Sequence, residues 1–417
     1  MMTLIKNLSS LVTIDAGGKT HLIGIEMQNI GEIQNGAILF NEVIQWVGTT
    51  QEAEKLLVDG TLKVDKIIDA KGKTIVPGYV DSHTHIVFGG SRSNEFARRL
   101  RGTTYQELAA EGGGILTTMK ATRNASIDEL YEVGAKLAKS AMKYGTTAIE
   151  IKSGYGLTLE SELNQLRAIK KLQETLPLTI KSTFMGAHDF PPEYKNDHEK
   201  YIDLIIDEMI PAVAAEGLAD YCDAFVDQGY FTLDQAKRLF TAAKNAGMQV
   251  RVHCDEMADV SAAKMASEIG AVSADHLLFI SDESIEAMYK SGTIATLLPG
   301  TAYFIRMPYA PARKIIESGC TVALATDANP GSCFTENMQM ILSLAVINMK
   351  MTAEEALVAA TLNGAKALGL SNEMGSLEIG KKANFCIYDC TSYTDIFYHF
   401  AVNQIESTWI NGTIVNC

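Results

Sequence analysis

Two histidines one residue apart, His83 and His85, are the first place in this sequence where residue type and spacing together suggest chemistry. In an extended chain, side chains two positions apart point the same way, so both imidazoles can address a single ion. A third imidazole, His253, and a late carboxylate, Asp327, make the set three nitrogens and one oxygen. That set suits one divalent metal, Zn²⁺ or Fe²⁺, with a position left open for water. The plain alternative for the pair alone is two surface histidines in a loop, and it weakens as further ligand types recur at equivalent places along the chain.

Other residues nearby have chemistry to offer. Glu256, three residues past His253, reads as lying on the first turn of a helix, where it can exchange protons with a bound molecule. Its alternative is an acid favoured there by the helix dipole. His276 reads either as a hydrogen-bond partner of an attacked oxygen or water, or as a satisfied histidine plugging a core. Lys152 raises a second possibility, because a carbamylated lysine can bridge two metals. It shares a strand face with Glu150, which points instead to a Lys152–Glu150 pair beside a single metal. Cys254 and Cys333 read as packing residues.

The elements that must position these groups follow from hydrophobic periodicity. Short apolar or β-branched runs occupy residues 75–83, 146–154, 178–188, 221–229, 248–254, 271–277, 293–300 and 321–329. Amphipathic stretches with helical spacing lie between them, among them 127–144, 159–174, 232–246 and 257–269, with 335–348 and 352–368 following the last run. Eight such βα units predict a (β/α)₈ TIM-like barrel. An open doubly wound sheet is the alternative, but no G-x-G-x-x-G follows the first run. Five of the eight histidines (83, 85, 188, 253 and 276) fall at the ends of these runs, and Asp327 closes the eighth. In a barrel, those ends carry the chemistry.

Both flanks carry short alternating runs broken by Gly and Asn. They predict a small β-sandwich domain built from both chain termini, residues 1–70 with 373–417, around a barrel of residues 71–372.

A formal charge of −14 argues against nucleic acid and anionic membranes as partners; the densest basic cluster is only Arg98, Arg99 and Arg101. A small-molecule substrate is expected, and if it is anionic a few local cations must hold it. Seven scattered cysteines describe no disulfide framework, and no apolar run reaches membrane-spanning length. The expectation is a cytoplasmic protein.

Residues 77–85, with His253, His276 and Asp327, resemble the amidohydrolase superfamily over nearly the whole chain, and residues 375–384 look like its usual return into the small β domain. Within it, the segments 150–156, 184–188, 112–115 and 327–332 resemble the imidazolonepropionase family. That resemblance implies cytoplasmic hydrolysis of 4-imidazolone-5-propanoate to N-formimidoyl-L-glutamate in histidine degradation. It also implies a substrate site lined by Arg92, Tyr155, His188, Glu256, Asn329, Gly331 and Ser332, with Tyr105 added. A guanidinium such as Arg92 suits the propanoate. The expected roles are Asp327 as acceptor of the water proton, Glu256 as proton shuttle, His276 as partner of the oxyanion or water, and His188 as orienter of the ring. One rival is a metal-dependent deaminase of an amino-heterocycle; another is a non-catalytic scaffold. A homodimer is suggested by fold analogy alone.

Overall fold

The computed structural model describes residues 1–103 and 113–415. Tyr105 and Gly112 lie outside the described residues.

Eight parallel strands form the barrel: β1 (Tyr79–Asp81), β2 (Thr146–Lys152), β3 (Thr179–Ala187), β4 (Tyr221–Val226), β5 (Gln249–Cys254), β6 (Ser273–His276), β7 (Ile294–Leu297) and β8 (Val322–Leu324). Each pairs with the next in sequence. Strands covered by helices outside and packed side chains inside are buried on both faces, which is why the sequence shows near-continuous apolar runs. All seven residues of β2 are buried, Glu150 and Lys152 included.

Between β8 and β1 the seam is joined just beyond the strands. The Asp327 amide donates to the His83 carbonyl at 3.0 Å, and the His85 amide donates to the Ala328 carbonyl at 2.9 Å. The Asp81 carboxylate accepts from the Thr326 amide and hydroxyl at 2.9 and 2.6 Å. Closure of the barrel and placement of the two histidines are therefore one event.

The termini build a separate eight-stranded sheet that includes Thr3–Val12, Glu32–Phe40, Phe385–Tyr388 and Ile405–Ile410. Phe40, Phe385 and Trp409 form its aromatic centre, with ring centroids 5.1–5.4 Å apart. Thr74–Pro77 also belongs to this sheet, pairing parallel to Thr3–Val12 and antiparallel to Phe385–Tyr388. The run at 75–83, expected as one barrel strand, is thus two strands in two sheets. Gly78 marks the change, and a Cβ there would meet the Thr147 side chain at 2.2–2.9 Å.

Helices Ile127–Lys143 and Leu233–Asn245 form where expected, each started by a reciprocal capping box, Ser126 with Glu129 and Thr232 with Gln235. Two others depart from expectation. The helix expected over 257–269 is shorter, Ala262–Glu268. Two aspartates take the amides ahead of it: Asp227 accepts from Glu256, Met257 and Ala258, and Asp255 from Val260, Ala262 and Ala263. Glu256 therefore sits in a carboxylate-braced loop, not on a helical turn. The helix over 352–368 is broken at Thr361 into Ala353–Ala360 and Leu362–Ala367. The break lets Asn363 reach the backbones of Leu22 and Val322 at 2.9–3.0 Å.

Candidate active site

His83 and His85 follow β1, and His253 lies within the end of β5. Their Nε2 atoms converge: 3.0 Å between His83 and His253, 3.4 Å between His83 and His85, and 3.3 Å between His85 and His253. All three rings are buried, and Asp327 Oδ1 stands 3.6 Å from the Nε2 atoms of His83 and His85. Asp327 has φ +52°, a left-handed backbone uncommon outside glycine, so its direction is set by the seam bonds rather than by local preference.

The tautomers follow from the second nitrogens. His83 Nδ1 is 2.7 Å from Asp275 Oδ2 and His253 Nδ1 is 3.0 Å from Asp223 Oδ2, so each Nδ1 carries the proton and each Nε2 a lone pair. Burial, then nearby Lys152, holds His83 well below the ordinary imidazole range; burial, then His188, does the same for His85. Neutral lone pairs facing one another at these distances repel unless a cation lies between them. Donors on a tetrahedral zinc bonded at about 2.0–2.1 Å stand about 3.3–3.4 Å apart, close to the separations here. The donor set fits a divalent metal.

Beneath the histidines lies a buried ionic layer. The Lys152 ammonium donates to Glu150 at 2.6 Å and contacts Asp223 at 2.9 Å. Arg251 donates to the Ser82 carbonyl at 2.8 Å and approaches Asp275 at 3.5 Å. Lys152 is thus an ion-pair partner of two carboxylates, as its position beside Glu150 suggested, and not a free amine. Asp223, Asp275 and Arg251 were not singled out in the sequence. The available signal was charge inside apolar strand runs, which burial makes costly unless paired.

One cavity of about 330 Å³ opens onto this cluster, bounded among others by His85, His253, Asp327, His276, Glu256, His188, Tyr155, Arg92, Asn329, Gly331 and Ser332. Every described residue expected at the site except His83 lines it, and His83 lies directly beneath. Among the described residues, both ring nitrogens of His276 are buried without a hydrogen-bond partner, and Glu256 approaches Nδ1 at 3.6 Å. Burial, then Asp327 and Asp227, pushes the Glu256 carboxyl up to about 8. Asp327 is pushed up to about 6 by burial, against the opposing Thr301 hydroxyl, which donates to Oδ2 at 2.5 Å.

His188 donates from Nδ1 to the Gly154 carbonyl at 2.9 Å and stacks on His85 at 5.2 Å. Gly154 has φ +111°, and a Cβ there would press on His188 and the Met185 carbonyl at 2.9–3.2 Å. The Gly154–Leu157 loop is held by Glu162, which accepts from three of its amides at 2.8–2.9 Å, and by Gln165, which accepts from Tyr155 N at 3.2 Å. Neither Glu162 nor Gln165 is among the residues singled out from the sequence.

Asn329 lines the cavity, but its amide is used within its own turn: it accepts from the Gly331 and Ser332 amides at 2.8 and 2.7 Å and donates to the Asp327 carbonyl at 2.7 Å. Arg92 Nε donates to Glu95 at 3.0 Å, and a Cβ on Gly331 would lie 2.2 Å from Arg92 Nη1. Arg99 and Asp189 also line the cavity and were not anticipated as site residues.

The amidohydrolase family model matches residues 74–415. Among curated relatives, imidazolonepropionase of Alkaliphilus metalliredigens is 44% identical over 417 residues, covering 99% of this chain and 97% of the relative. That of Christiangramia forsetii is 45% identical, covering 100% of both. Among solved structures, a zinc-bound adenosine deaminase from Xanthomonas campestris superposes with TM-score 0.72 at 18% identity, covering 99% of this chain and 92% of that one. A guanine deaminase from C. acetobutylicum gives 0.69 at 16%, covering 100% of both. At such identity the structural likeness speaks for the fold alone.

Proposed function

The chain belongs to the imidazolonepropionase family of amidohydrolases, and on that premise we propose that it hydrolyses 4-imidazolone-5-propanoate to N-formimidoyl-L-glutamate in histidine degradation. The observation that carries this reading is that a single cavity is bounded both by the converging histidine cluster and by the Arg92 guanidinium. A hydrolytic centre and a carboxylate fork are what a cyclic amide with a propanoate tail requires.

One divalent cation, Zn²⁺ or Fe²⁺, would be held by His83, His85, His253 and Asp327. When bound it supplies Lewis-acid chemistry, polarising a carbonyl and making water acidic enough to attack at neutral pH. Asp327, steadied through Oδ2 by Thr301, presents Oδ1 toward the cluster and takes the proton of the attacking water. The water oxygen bonds to the ring carbonyl carbon, the amide C–N bond breaks, and the departing nitrogen takes a proton. Glu256, a carboxyl pushed up by burial and then by the neighbouring Asp327 and Asp227 carboxyls, is the proton shuttle beside that nitrogen. His276 offers an unpartnered ring nitrogen to the developing oxyanion or to the water. His188, its Nδ1 proton committed to Gly154, presents Nε2 as an acceptor that orients the ring. Tyr155 and Ser332 complete the wall, and Tyr105 is carried as part of the same proposal.

A cytoplasmic location and a homodimeric state belong to this proposal too. The first is supported by the free state of the cysteines among the described residues and the second only by fold analogy.

The test is incubation of metal-replete protein with freshly made 4-imidazolone-5-propanoate. A product heavier by one water, without ammonia, supports the reading; ammonia release would assign a deaminase instead. No turnover in protein shown to contain metal would point to a scaffold.

A further inference from the structure

The proposed substrate carries a negative tail into a cavity that also contains the carboxyls of Asp189, Glu256 and Asp327, in a chain of net charge −14. Arg92 was the expected holder of that tail, yet its Nε is already bonded to Glu95 at 3.0 Å. Glu95 is itself fixed by the Gly114 amide at 3.2 Å and the Thr117 hydroxyl at 2.5 Å. The Arg92–Glu95 pair is neutral as a unit: it offers directed N–H donors but little net positive potential.

Arg99 stands seven residues on, along the helix Ser93–Leu100 that Arg92 caps. Seven residues are two turns, so both side chains leave from nearly the same face. Both line the cavity above the histidines, and both line an adjoining recess of about 260 Å³. Among the described residues Arg99 forms no ion pair; its guanidinium lies 5.9 Å from the ring centre of Phe304. Phe304 stacks on Phe96 at 5.0 Å and 16°, which extends the aromatic surface beside the Arg99 guanidinium.

We infer that Arg99 is a specificity-determining residue, the second guanidinium of a two-arginine clamp for the substrate's carboxylate. Arg92 directs hydrogen bonds to the tail, and Arg99, without an ion-pair partner among the described residues, supplies the positive charge that favours an anionic over a neutral tail. This deepens the proposed function and rests on it.

The experiment compares wild type with Arg99→Met and Arg99→Lys on 4-imidazolone-5-propanoate and on its methyl ester. Losing a charge-assisted hydrogen bond lowers affinity about 10- to 100-fold. The expected result is a rise in KM of that size for Arg99→Met on the acid, with kcat within about twofold, no comparable change on the ester, and partial recovery in Arg99→Lys. Equilibrium binding of imidazole-4-propanoate should weaken in parallel. An unchanged KM on the acid, or an equal loss on the ester, overturns the inference while the functional reading stands. Wild type inert toward the acid overturns the functional reading, and binding of imidazole-4-propanoate then still decides whether Arg99 recognises a carboxylate.

Discussion

Asp327 is bonded through its main chain to His83: the amide that opens the turn after the last barrel strand donates to the carbonyl of the histidine that follows the first. The side chains of the same two residues approach within 3.6 Å. Backbone and side chain thus do separate jobs at one position, and substitution can take one without the other.

Asp327→Asn keeps the seam bond and removes the base. Turnover should fall about 10²- to 10⁴-fold, while the thermal midpoint stays near wild type. Kinetics on protein of verified metal content make the measurement, and near-native turnover would exclude Asp327 as the proton acceptor.

Lys152→Met leaves Glu150 and Asp223 buried without their cation, which should cost about 3–5 kcal/mol of unfolding free energy in urea titration. Because the ammonium is engaged by two carboxylates, added bicarbonate should leave wild-type metal content at one ion per chain. Two ions per chain in bicarbonate would refute this assignment of Lys152.

Glu256 gives a pH dependence of definite sign. Its folded carboxyl is raised to about 8, above its unfolded value, so the folded state binds more protons between roughly pH 4 and pH 8. That contribution to stability is fully present below the unfolded value and is lost as pH rises through about 8. In metal-stripped protein, Glu256→Gln should therefore melt progressively higher than wild type as pH is raised across that window, while its turnover, measured metal-replete, is reduced. Parallel melting curves at pH 5 and pH 8.5 would contradict this.

Gly331→Ala places a methyl group where the Arg92 guanidinium now lies. Arg92 must give way, and KM for the acidic substrate should rise about tenfold or more with little change in kcat. Steady-state kinetics on the acid and on its methyl ester separate this from a general disturbance of the site.

Much of the site was legible because ligands interrupt apolar strands at their ends, and such interruptions stand out in sequence. His83, His85, His253 and Asp327 were found that way, and the geometry brings them together. What was not legible depended on partners distant in sequence or on side chains competing for the backbone. Nothing in the apolar stretch around Gly78 announces that Thr74–Pro77 pairs with residues more than three hundred positions later. The helix expected from Met257 is shortened because Asp227 and Asp255 claim its amides first. Nothing in the sequence around Glu162 and Gln165 marks them as acceptors for the amides of the Gly154–Leu157 loop.

The split strand also bears on how the molecule comes to be made. During synthesis Thr74–Pro77 emerges well before its neighbour Phe385–Tyr388, which follows the whole barrel in sequence. Until then the stretch leading into the two histidines is anchored on one side only. The stretch leading into the metal-binding loop therefore gains its second strand neighbour only after all eight barrel strands have been made.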